Sequence, residues 1–136
     1  MTTLSLEDLR IYLFREFPQI EGNYALESLG PLQARMRLIA GERHLRPGGT
    51  ISGPAMFGLA DVALYAAILA SVGPFALAVT TNLNINFLRK PAPVDLIGEA
   101  RLLKLGKRLA VGEVSIYDAG DNLVAHATGT YSIPPR

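Results

Sequence analysis

Residues 54–70 read PAMFGLADVALYAAILA, a stretch in which Asp61 is the one charged position. Alanine, leucine and methionine favour helix. Apolar residues fall on every side of the helical wheel rather than on one stripe, the pattern of a helix buried all round. Pro54 suits a first helical position, where its missing N–H would go unpaired anyway. Gly73-Pro74 marks the stop, so the spacing predicts a helix over 54–71. The stretch is near the short limit of about 17 residues for crossing a bilayer, and a buried charge there would be costly. It is therefore read as the central helix of a folded domain, with no membrane partner.

Upstream, residues 41–53 (GERHLRPGGTISG) form a loop by composition, and before it Gly30-Pro31 separates two short strands, 23–29 and 32–39. Residues 5–16 (SLEDLRIYLFRE) place Leu6, Leu9, Leu13 and Phe14 at helical spacing behind Ser5, a suitable N-cap, and Pro18 ends this N-terminal helical segment of residues 1–20. Downstream, VTTNLNINFL (79–88) alternates, with Val79, Thr81, Leu83, Ile85 and Phe87 on one face and Thr80, Asn82, Asn84 and Asn86 on the other. Strands follow at 96–105 and 109–117, joined by Gly106-Lys107-Arg108, and at 122–133 after the turn Asp118–Asp121. The last puts Leu123, Ala125, Ala127, Gly129, Tyr131 and Ile133 on one face. Antiparallel hairpins with one helix apolar on all sides require the sheet to curl around that helix. The class is α+β, a curved antiparallel sheet wrapped around a long central helix, which is the hotdog arrangement, as one domain over 1–136.

Composition narrows the chemistry. With 136 residues, 49% hydrophobic and 18% charged, the chain suits one core. A formal net charge of +1 argues against nucleic acid as partner. The absence of cysteine excludes a disulfide framework and a thiolate nucleophile, and fits a reducing, cytoplasmic setting. The opening MTTLSLEDLRIYLFREFPQI carries acidic residues early and does not read as a secretory signal. His44 and His126 are too few and too far apart for a metal site. No phosphate-binding loop, serine-hydrolase elbow or zinc motif is present.

Asp61 has two readings. Either a helix edge reaches solvent there or Asp61 caps a neighbouring loop, or else Asp61 is a general base or nucleophile held in an apolar slot. The glycines ahead of Pro54 either permit a tight loop or, at Gly53, turn a backbone N–H at the helix start toward an oxyanion. Gly53 and Asp61 are eight residues apart, about 12 Å along a helix. Acting on one carbonyl carbon, they would have to cooperate across a subunit interface. Thr80 is either a good strand former or a hydroxyl that holds a water for the carboxylate. Asn82, Asn84 and Asn86 suit a strand-edge or subunit contact. Arg89, Lys90, Lys104, Lys107 and Arg108 lie at strand ends and are either solvated surface or phosphate contacts. Met56, Phe57, Leu64 and Tyr65 are candidate lining for an apolar group. His44 has no partner in sequence, and His126 is expected to be exposed or at an interface.

From His44 to Pro91 the chain resembles the PaaI-type branch of the hotdog acyl-CoA thioesterases. The likeness is carried by His44, Gly49, Gly53, the helix with Ala60-Asp61, and TTNLNINFLRKP (80–91), with Gly106-Lys107-Arg108-Leu109-Ala110-Val111 similar as well. It extends over roughly residues 20 to 133. The resemblance implies cofactor-free hydrolysis of acyl-CoA thioesters at sites shared between two subunits, often in a tetramer. By position it implies Asp61 as nucleophile or general base, Gly53 N–H as the group polarising the thioester carbonyl, and Thr80 as a hydroxyl assisting water. Three positions depart from the pattern: Arg46 stands for an Asn, Ser52 for a loop His and Pro54 for a second helix-start Gly. Ser52 still donates a hydrogen bond, Arg46 suits a carboxylate or phosphate, and Pro54 leaves the Gly53 N–H intact. The alternatives are an acyl-CoA-binding module without turnover and, below it, a hydratase, which would need an Asp/His pair.

Overall fold

A computed structural model describes residues 4–74 and 77–135; residues 1–3 of the predicted N-terminal segment lie outside the described residues. Helix α1 (Leu6–Glu16) starts as its sequence predicts. The Ser5 hydroxyl accepts from the Asp8 N–H at 3.1 Å, and Leu9 and Leu13 turn inward. A 3₁₀ turn, Pro18–Ile20, leads into β1 (Tyr24–Gly30) and β2 (Gln33–Leu38). After a second 3₁₀ turn, Glu42–His44, comes α2 (Gly53–Val72). Then follow β3 (Val79–Phe87), β4 (Leu96–Leu105), β5 (Leu109–Tyr117) and β6 (Leu123–Ser132).

Helix α2 begins one residue earlier than the sequence predicts, because Ser52 caps it, accepting from the Ala55 N–H at 3.2 Å. Gly53 is therefore the first helical residue and Pro54 the second. Gly73 ends the helix in a positive-φ conformation (φ 104°), its N–H bonded to the Leu69 carbonyl at 2.9 Å. The helix is long and apolar enough to cross a membrane, with mean hydropathy 1.9, yet 72% of that span is buried inside the fold. The strands form one antiparallel sheet in the order β1-β2-β4-β5-β6-β3, so β1 and β3 are its edges. The sheet curls around α2. Leu64 seats against Gly112 and Gly129, which are paired across β5 and β6. A methyl group on Gly112 would come within 2.6 Å of Leu64, and one on Gly129 within 3.0 Å of Leu64 and 2.6 Å of Leu83. Leu64 is thus a core residue and lines no cleft. Pro54, Phe57, Gly58 and Asp61 fall on the side of α2 that the sheet leaves partly open.

The alternation expected for β3 breaks. Thr80 lies opposite Tyr131 and Asn82 opposite Thr130, so Thr81 is an extra residue. This bulge turns Thr80 away from the asparagine face, onto the face that Leu83 and Ile85 present to α2, and leaves Val79 exposed.

Candidate active site

Asp61 does not stand alone. The Thr80 hydroxyl donates to Asp61 Oδ1 at 2.6 Å, and the Tyr131 hydroxyl reaches the same oxygen at 2.6 Å and the Asp61 main-chain carbonyl at 2.9 Å. The bulge sets Thr80 directly across from Tyr131, which brings the two hydroxyls to one oxygen. Burial, reinforced by the Asp61 charge, pushes the Tyr131 hydroxyl upward, so it remains a protonated donor. The Tyr131 ring stacks on Tyr65 with centroids 6.1 Å apart, and Phe17 meets Tyr65 edge-on at 6.3 Å. Burial, with Tyr12 and Glu16 nearby, pushes Tyr65 up to about 12. Glu16, Phe17, Tyr65, Leu77, Val79 and Tyr131 line a cleft of about 460 Å³ that opens onto Asp61 and Thr80. Tyr24 closes on the same helix from β1. Its hydroxyl lies over Gly58, where a Cβ would force it to shift, and burial followed by the Asp61 charge raises its pKa.

A second cleft, of about 590 Å³, lies at the start of α2. Arg46, Ser52, Gly53, Pro54, Met56, Phe87, Arg89 and Lys90 contribute to its walls. No described group accepts the Gly53 N–H. A Cβ there would sit 3.2 Å from the Phe87 ring, which would have to give by a few tenths of an ångström to admit it. Ser52 both caps the helix and faces this cleft, and Met56 is buried at its base.

The sequence-predicted residues are thus divided between two places. Asp61, Thr80 and Tyr65 share one cleft; Gly53, Arg46, Ser52, Pro54, Met56, Arg89 and Lys90 share the other. Phe57 lines neither and is 40% exposed on the open side of α2. Lys104, Lys107 and Arg108 flank the β4–β5 turn. That turn is at the Val79 end of the sheet, whereas Arg89 and Lys90 follow the Phe87 end. His44 is buried: its Nδ1 accepts from the Gly41 N–H at 2.9 Å and its Nε2 meets Asn23 Oδ1 at 2.9 Å, a structural rather than a chemical setting. Burial, then the charge of Arg43, lowers its pKa. His126 is partly exposed and pairs with Glu113 at 3.0 Å. Tyr131, Phe17 and Leu77 were missed from sequence. For Tyr131 the available signal was a hydroxyl on the inward face of a strand, which needs a buried partner.

Residues 48–125 match the Thioesterase superfamily model, and the chain belongs to that family. A curated relative from Saccharolobus solfataricus, named "putative esterase", is 30% identical over 96% of this chain and 80% of its own length. A crystal structure from Silicibacter sp. TM1040, titled "putative thioesterase", is 51% identical, with a TM-score of 0.92 over 99% of this chain and 95% of that one. A mutant of the phenylacetic acid degradation protein PaaI from Thermus thermophilus shares the fold, at 24% identity and a TM-score of 0.76 over 86% and 99% of the two chains. Thioester hydrolysis is the general chemistry of this family, and the chain is a hotdog hydrolase of that type.

Proposed function

We propose that the chain is a cytoplasmic acyl-CoA thioesterase whose site is completed by a second copy of itself. One observation carries this reading: the two clefts lie at opposite ends of β3, the Asp61 cleft at Val79 and Thr80, the Gly53 cleft at Phe87 and Leu88. β3 is hydrogen-bonded on one side only, and Val79, Phe87 and Leu88 are exposed along it. Antiparallel pairing of two β3 edges about a two-fold axis brings the Phe87 end of one protomer beside the Val79 end of the other. Asp61 of one copy then faces the Gly53 N–H of its partner. The same operation brings Lys104, Lys107 and Arg108 toward the partner's Arg46, Arg89 and Lys90, a basic rim suited to the phosphates of coenzyme A.

In the reaction, water adds through oxygen to the thioester carbonyl carbon as the Asp61 carboxylate takes its proton. The Gly53 N–H and the positive end of α2 stabilise the oxyanion. Collapse breaks the C–S bond, and the thiolate leaves with the proton held by Asp61, giving free acid and CoA. Direct attack by Asp61, through a mixed anhydride that water then hydrolyses, has the same balance. The apolar tail lies in the cleft of Phe17, Tyr65, Leu77 and Val79.

The test is release of free thiol from a panel of aliphatic and aromatic acyl-CoAs. Wild-type protein is expected to release CoA, and Asp61→Asn and Asp61→Ala to lose about 10²–10⁴-fold in kcat/KM while folding and assembling normally. Wild-type rates in both variants would remove Asp61 from the mechanism. Tight binding without thiol release across the panel would make the chain an acyl-CoA-binding module instead.

A further inference from the structure

We infer that Tyr131 is a positioning residue, which clamps one oxygen of Asp61 so that the other alone meets the reacting centre; this rests on the thioesterase reading above. The terminal torsion of an aspartate is broad and nearly two-fold, so an unrestrained carboxylate presents either oxygen. Here both donors converge on one atom. Thr80 Oγ1 and Tyr131 Oη each lie 2.6 Å from Oδ1, and no described group bonds Oδ2. The clamp is itself held rigid. Tyr131 is 4% exposed, its ring stacks on Tyr65, and its register opposite Thr80 is set by the Thr81 bulge. Loss of the hydroxyl leaves Thr80 as the single donor and frees the carboxylate to turn, which degrades the attack geometry more than substrate binding.

Tyr131→Phe keeps the ring and its stack and deletes the hydroxyl, with its contacts to Asp61 Oδ1 and to the Asp61 main-chain carbonyl. The variant is expected to melt within about 5 °C of wild type. Its kcat on acyl-CoA is expected to fall about 10–100-fold with KM changed less than about threefold. Should Tyr131→Phe not fold, a crystal structure of the wild type with a non-hydrolysable acyl-CoA thioether is expected to show Tyr131 Oη on one Asp61 oxygen and the other oxygen turned to the ligand. A wild-type protein inactive on every acyl-CoA overturns the thioesterase reading and this inference with it. An active wild type and a dead Asp61→Asn, beside a Tyr131→Phe that keeps wild-type kcat, overturn the inference alone. A wild-type complex in which the oxygen held by Tyr131 is the one facing the ligand does the same.

Discussion

A carboxylate is tolerated on the apolar helix because Asp61 lies on the side of α2 that the sheet leaves open and because two hydroxyls satisfy one of its oxygens. Its oddity was legible in the sequence, as was the run of glycines before Pro54. The clamp was not. Tyr131 is 70 positions away in the chain, and on an inward strand face a tyrosine reads as core. His44 shows the converse: a histidine without a sequence partner proved to be fully paired, with Gly41 and Asn23. Its setting has a pH consequence. The folded pKa is lowered, so between that value and the unfolded one of about 6.5 the unfolded chain binds the proton and the native chain does not. Stability from the neutral ring is therefore complete above about pH 6.5 and declines as pH falls below it. At Glu27 the cost of burial is outweighed by Arg37 and Arg35, and Glu113 is held low by Arg101 and His126. Both carboxylates lose their contribution only below the ordinary carboxylate range. Urea titrations at about pH 7.5 and about pH 5.5 should show a loss of stability in wild type that is smaller in His44→Gln. An equal loss in both would show that His44 is not the titrating group.

At the level of elements, period-2 alternation and the all-apolar helix made the strands and α2 legible to within a residue or two at their ends. The bulge at Thr81 was hidden because Thr-Thr-Asn carries no glycine or proline to mark it, and a one-residue insertion moves every side chain before it to the other face. That shift is why Thr80 serves the carboxylate and not the asparagine face. Packing of α2 on the sheet turns on Gly112 and Gly129 as the seat for Leu64. Gly112→Ala is expected to destabilise by about 1–3 kcal/mol, because its methyl would meet the Arg101 carbonyl at 2.9 Å as well as Leu64. Gly129→Ala meets chiefly leucine methyls and should cost less, with Leu64→Ala relieving part of it in a double-mutant cycle. Equal costs, or strict additivity, in denaturant titrations would contradict this packing.

On the scale of the molecule, the basic residues could be picked out from sequence but not their division between the two ends of the sheet, which depends on strand order. The β3–β6 and β5–β6 registers separate Lys104, Lys107 and Arg108 from Arg89 and Lys90, and the same geometry separates Asp61 from Gly53. In the proposed dimer a second copy paired through β3 would reunite both sets, so the assembly and the chemistry stand or fall together. Gly53→Pro isolates the proposed oxyanion donor. Proline is accepted at a helix start, Ser52 already has the extended backbone that precedes proline, and the N–H is deleted. Gly53→Ala, which keeps the N–H, controls for the crowding against Phe87. The decisive measurement is the activity of a purified heterodimer, one protomer carrying Asp61→Asn and the other Gly53→Pro. Each parent homodimer has no complete site, whereas the heterodimer has one of two, and it should recover roughly half the wild-type rate of CoA release. A heterodimer as inactive as both parents would show that Asp61 and Gly53 do not meet across the interface.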